Sequence, residues 1–215
     1  MKRRQPFKIL GLFGAREGTN LLHLNWDNMT HFSSIVELQD LVAELAIFEQ
    51  KLVRFKQRLN LNVEQYQADH ISLRCHDISV AERWRKGFLQ CGSLMSETII
   101  NGRPICLFDL EYPIAVLNWQ IDCVELPYPG KKTYLHQGWE HVELVLPVAP
   151  EILSTAAKAL LPQPLPAGFS VKESQPKGEQ ERLPNPTLAI TDGEITVKFH
   201  PFTLREIVKS ECSAT

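Results

Sequence analysis

One short phrase occurs twice in the chain. Asp69-His70-Ile71-Ser72-Leu73 and Glu140-His141-Val142-Glu143-Leu144 each read acid, histidine, β-branched residue, variable position, leucine, 71 residues apart. Alternation marks both copies as strands: Ile71, Leu73 and Cys75 alternate with His70, Ser72 and Arg74, as Val142, Leu144 and Leu146 alternate with His141, Glu143 and Val145. Side chains two positions apart share a face of a strand, so a duplicated unit brings the two imidazoles to equivalent places on a polar surface. Two such histidines can hold a metal ion.

The elements downstream of each phrase repeat as well. After the first come a helix from about Val80 to Gln90, ended by Gly92, and strands near 93–100, 104–110 and 115–126. After the second come a helix from Pro150 to Leu161 and strands near 168–173, 186–191 and 194–200. Asn101-Gly102 and Asp192-Gly193 are hairpin signals. Ahead of both, Ile35, Leu38, Leu41, Val42, Leu45, Phe48, Leu52, Phe55 and Leu59 recur at three- and four-residue steps, the period of an amphipathic helix. The expected class is therefore α+β, with two paired βαβββ modules forming a curved cleft behind an N-terminal helical segment. The expected division is a helical cap over 29–66, modules over 67–127 and 139–202 joined by a Pro- and Gly-bearing linker over 128–138, and a C-terminal helix and tail over 203–215. Residues 1–28 show no periodicity and read as a disordered leader or an upstream start that translation need not use.

Composition narrows the function classes. With 215 residues, 44% of them apolar, the chain can build a core. A formal charge of −2 gives no basic field for nucleic acid or an anionic membrane. No segment reaches the length of a membrane span, and Gly11, Gly14, Arg16 and Glu17 interrupt the apolar run near the N-terminus. Cys75, Cys91, Cys106, Cys123 and Cys212 are odd in number and form no C-x-x-C pair, as expected of reduced packing residues in a cytoplasmic protein. Trp84, Trp119 and Trp139 read as packing residues, and no P-loop, dinucleotide fingerprint or serine elbow is present.

The module ends add candidate ligands. Glu125 follows His70 by 55 residues, and His200 follows His141 by 59. Ile195, Val197 and Phe199 form the apolar side of the last strand, so Thr196, Lys198 and His200 share the other.

The segments HISLRCH (70–76), AERWR (81–85), INGRPICLF (100–108), GWEHVELVLP (138–147), PKGEQERLPNPTLAITDG (176–193) and VKFHP (197–201) resemble the bacterial YecM family. The order of elements and the His…Glu…His placement resemble the wider vicinal-oxygen-chelate superfamily, which includes glyoxalase I, methylmalonyl-CoA epimerase and extradiol dioxygenases. That resemblance implies a divalent cation held by residues on the first and last strand of each module, chelating two adjacent oxygens of a small molecule. Carried over by position, it implies His70, Glu125 and His141 as ligands of Fe, Mn, Ni or Zn. The fourth position departs from the pattern, because Lys198 stands in register where a carboxylate is expected; His200, two residues on, is the substitute.

Several residues keep two readings. Glu143 shares the His141 face and is either a general base or a solvated strand carboxylate. Arg74, Arg103, Arg182 and Lys198 either reach the cleft and favour an anionic substrate, or form ion pairs with acids such as Asp69 and Glu140. His76 belongs to the rim and His136 to the linker. The stretch 174–186 is a lid or a rigid excursion. At the level of function, a metal-dependent isomerase, lyase or dioxygenase stands against a non-catalytic small-molecule-binding or interaction protein that keeps the fold; the oligomeric state is open.

Overall fold

The computed structural model describes residues 32–100, 102–131, 134–175 and 182–212. The leader reading of 1–28 and the middle of the 174–186 stretch lie outside the described residues. The first module runs β1 (Gln67–Arg74), α2 (Ile78–Phe88), β2 (Gly92–Ile100), β3 (Arg103–Val116) and β4 (Trp119–Pro127). The second runs β5 (Gly138–Val145), α3 (Leu153–Lys158, entered through a 3-10 turn at Pro150–Ile152), β6 (Ser170–Ser174), β7 (Thr187–Thr191) and β8 (Thr196–His200). Helix α1 (Gln39–Leu59) precedes them and α4 (Leu204–Cys212) closes the chain.

All eight strands join in one sheet of order β2-β3-β4-β1-β5-β8-β7-β6. Each module contributes four strands in the same internal order, with its first strand parallel to its last, β1 to β4 and β5 to β8. The modules meet where β1 pairs antiparallel with β5. Both copies of the repeated phrase thus lie side by side at the centre of the sheet, as the paired βαβββ expectation requires.

The apolar face of these central strands is fully buried: Ile71, Leu73, Val142, Leu144, Val197 and Phe199 have no exposed surface. Helix α1 supplies much of the apposing core through Leu41, Leu45, Phe48, Leu52, Phe55 and Leu59, spaced by threes and fours. Each such side chain contributes about 1.5–3 kcal/mol by leaving water, before the entropy of ordering it is counted. The helix contains no Gly or Pro and ends where Asn60 turns left-handed at φ 46°. It is pinned over the module junction, since Trp139 Nε1 donates to the Leu41 carbonyl at 2.9 Å. Gly138, at φ 115°, lets β5 pass close beneath, where any side chain would run into the Glu44 carboxylate.

One strand boundary differs from the sequence reading. The break expected at 111–114 is absent; β3 continues to Val116 and turns at Leu117-Asn118. Pro113 is tolerated because the β3–β4 register skips from Asp109 to Ile114 there, so its missing N–H interrupts no regular ladder. The real turn carries no strong local signal. Leu117 adopts φ 54°, and its N–H donates to Glu49 Oε1 of α1 at 2.7 Å.

The three tryptophans among the described residues pack as expected, each indole N–H satisfied: Trp84 by Asp40, Trp119 by the Tyr66 carbonyl, Trp139 by the Leu41 carbonyl. Cys75, Cys91, Cys106 and Cys123 are buried and free. No described helix is long and apolar enough to cross a membrane.

Candidate metal centre

Register assembles the polar face in two adjacent rows. Glu125 of β4, Ser72 of β1, His141 of β5 and Thr196 of β8 form one; His70 of β1, Glu143 of β5 and Lys198 of β8 form the next. A continuous sheet would point the acid before each histidine to the opposite side. Instead the β1–β5 ladder shifts register between Ala68 and His70 and again between Ser72 and Leu73, opposite Glu140. These irregularities fall at the two acids of the repeated phrase, and each acid turns back onto its own histidine.

The consequence is a pair of carboxylate–imidazole units. His70 Nδ1 donates to Asp69 Oδ2 at 2.9 Å, and His141 Nδ1 donates to Glu140. Asp69 also accepts the Leu204 N–H at the start of α4, at 3.0 Å, and Glu140 is paired with Arg74 at 3.2 Å and accepts from Thr196. Burial would raise both acids, but the neighbouring imidazoles outweigh it, with Leu204 adding to the effect at Asp69 and Arg74 at Glu140, and both stay below the usual carboxylate range. An ionised carboxylate only accepts, so the proton lies on Nδ1 of each ring and the Nε2 atoms face inward.

Those Nε2 atoms converge on Glu143. Its Oε1 is 3.0 Å from His141 Nε2 and 3.4 Å from His70 Nε2. Donor atoms about 2.1 Å from a shared ion stand roughly 3.0–3.4 Å apart, so the three match a common coordination sphere. Glu125 stands at the edge: Oε1 accepts Ser72 Oγ at 2.7 Å, while Oε2 lies 4.0 Å from His70 Nε2. Burial of Glu143 and Glu125 is outweighed by Lys198 and His70, which hold both carboxyls low. Burial likewise works against protonation of His70, but Glu143 and Asp69 overcome it and push its pKa up to about 10. Metal uptake at Nε2 would therefore release a proton.

Fit rests on an orphaned atom and on charge. His70 is 1% exposed, and its Nε2 makes no hydrogen bond. The carboxylates Asp69, Glu125, Glu140 and Glu143 face two fixed cations, Arg74 and Lys198, leaving a formal charge of −2 once His70 is neutral. A divalent cation would compensate that charge.

Lys198 occupies the position in register with Glu143. Its Nζ donates to Glu143 Oε1 at 2.6 Å and to His141 Nε2 at 2.8 Å, an ammonium seated beside the donors a metal would use. His200 does not join this group. It pairs in register with Val145, two residues beyond Glu143 and Lys198, and lies across His70 from His141, with ring centroids 5.7 Å from His70.

The other expected site residues separate clearly. Arg74 is buried, paired with Glu140 and stacked on Tyr134 at 4.5 Å. Arg103 donates to the Tyr128 carbonyl, and Arg182 is exposed. His76 is exposed at the rim, its ring on the Tyr134 carbonyl, and His136 bonds the Trp139 carbonyl. Sequence reasoning did not give Asp69 and Glu140 their place behind the histidines, nor Ser72 its place beside Glu125. The signal for the first two was present, because the acid is part of the repeated phrase. A carboxylate behind a ligating imidazole typically governs metal affinity 10–100-fold. Glu140→Gln is accordingly expected to weaken divalent-metal binding by about 10–100-fold, read by competition with a chromophoric chelator; unchanged affinity would separate Glu140 from the centre.

A family model described as "YecM protein" matches residues 37–211. Protein YecM of Escherichia coli (strain K12) is 58% identical over 189 residues, covering 86% of this chain and 100% of that one. An uncharacterized protein of Haemophilus influenzae is 35% identical over 182 residues, 80% of this chain and 94% of that one. A solved structural-genomics structure, Protein EC4020, superposes with a TM-score of 0.79 at 54% identity, covering 84% of this chain and 96% of that chain.

Proposed function

The chain belongs to the YecM family, and we propose that it is a divalent-metal-dependent protein of the vicinal-oxygen-chelate type acting on a small, oxygenated, anionic molecule. One observation carries the reading: two buried imidazoles, each tied at Nδ1 to an ionised carboxylate, turn Nε2 toward the same Glu143 oxygen. His70, His141 and Glu143 would hold the ion, with Glu125 in reach. A divalent ion bound there supplies Lewis acidity to adjacent substrate oxygens.

The remaining groups take roles from position. Glu143, expected from sequence as a general base, is better used as a ligand. Glu125, with Oε2 unengaged by Ser72, is the carboxylate left to accept a substrate proton. The Lys198 ammonium is the cation that would meet an anionic oxygen. Isomerase or lyase chemistry uses both groups. Burial of His70, His141 and Glu143, with Lys198 already bridging two of them, favours a second reading, a non-catalytic protein whose charge network is complete without metal.

Metal content separates the two. Full-length protein loaded in turn with Fe(II), Mn(II), Ni(II) or Zn(II) and dialysed should retain metal by elemental analysis, and His141→Ala should retain one equivalent less. Equal retention by His141→Ala removes the metal-dependent reading.

A further inference from the structure

His200 has no role in the centre described above, yet it is fully buried, and neither ring nitrogen has a hydrogen-bond partner among the described residues. A neutral imidazole has one donor and one acceptor to satisfy. Its Nε2 points to Asp69, 3.6 Å from Oδ2, and that same oxygen is 2.9 Å from His70 Nδ1. Asp69, His70 and His200 place one donor atom each within 4.8 Å of one another, a group separate from His70, His141 and Glu143. The two nitrogens of His70 thus face two different donor groups, on opposite sides of one ring.

We infer that Asp69, His200 and His70 Nδ1 form a second divalent-cation site, sharing His70 with the first. Donors around one ion stand about 3.0–3.4 Å apart; Asp69 Oδ2, at 2.9 Å from His70 Nδ1 and 3.6 Å from His200 Nε2, is near that spacing, and His200 would close toward the other two on binding. Two imidazole nitrogens and one carboxylate are a donor set suited to Zn(II) or Co(II). Filling this site alone needs the proton on His70 Nδ1 to leave. Filling both leaves His70 as a bridging imidazolate, its two ring protons released to solvent. The orphaned His200 is thereby satisfied, and the α4 start, hydrogen-bonded to Asp69 through Leu204, is tied to the occupied site.

Zn(II) alone is the probe, titrated into chelator-stripped full-length protein, with Co(II) absorption as a second readout of coordination by nitrogen and oxygen. Wild type should bind two equivalents, and His200→Ala and His200→Gln one fewer. A count unchanged by either His200 variant overturns the second site. If neither variant folds, His141→Ala decides: one equivalent still bound supports the site, and none overturns it. Loss of an equivalent in His141→Ala reports on the first centre only, so the two readings fail independently.

Discussion

Lys198→Glu is expected to tighten binding of Mn(II), Ni(II) or Zn(II) by at least about 100-fold, or roughly 2.7 kcal/mol. The Nζ of Lys198 lies 2.6 Å from Glu143 and 2.8 Å from His141 Nε2, so its charge stands beside the site of the ion. Two unit charges about 4 Å apart interact by roughly 4 kcal/mol at an effective dielectric constant near 20. The substitution replaces one such repulsion with an attraction and adds a ligand, so a net 2.7 kcal/mol asks for only about a third of the nominal gain. The same variant should be less stable without metal, since it adds another carboxylate to the four already gathered there. Chelator competition gives the affinity and urea unfolding with and without metal gives the stability. Unchanged or weaker affinity contradicts the placement of the ion.

Glu143→Gln should act in the opposite direction. Glu143 is 7% exposed and, among the described residues, is the one carboxylate touching His70, His141 and Lys198 together. Its neutralisation removes a ligand and leaves the Lys198 ammonium with a weaker partner. Breaking a buried pair from one side costs about 3–5 kcal/mol, and the partial exposure of Lys198, 21% at its side chain, places the expected loss near the lower end, at about 3 kcal/mol. Metal affinity should fall by more than 100-fold, exceeding the 10–100-fold typical of an outer partner such as Glu140. A variant that folds with wild-type stability and affinity would remove Glu143 from the centre.

The architecture was legible because it is written in periods. Alternation around His70 and His141 located the two central strands, and the three- and four-residue spacing from Leu41 to Leu59 located α1. The Leu117 turn was not legible, since Glu49 of another element satisfies its backbone. The site was legible in its histidines and less so in its carboxylates. Face and order nominated Glu125, but the antiparallel β1–β5 register sets Glu143 opposite His70, a pairing no local pattern encodes. Asp69 and Glu140 were legible only as ion-pair partners, which Glu140 is for Arg74; strict alternation sends both to the other face, and the register shifts bring them back. His200 shares the polar face of β8 with Lys198, but two pairs further along, which places it across His70 from His141.

The most direct test of the metal centre is the anomalous diffraction of a crystal soaked in Zn(II) and measured at the zinc edge. The account predicts a peak within bonding distance, about 2.0–2.2 Å, of Nε2 of both His70 and His141 and of a Glu143 oxygen, with Lys198 Nζ displaced from His141. A well-soaked crystal with no peak between those two imidazoles, and Lys198 still on His141 Nε2, would contradict it.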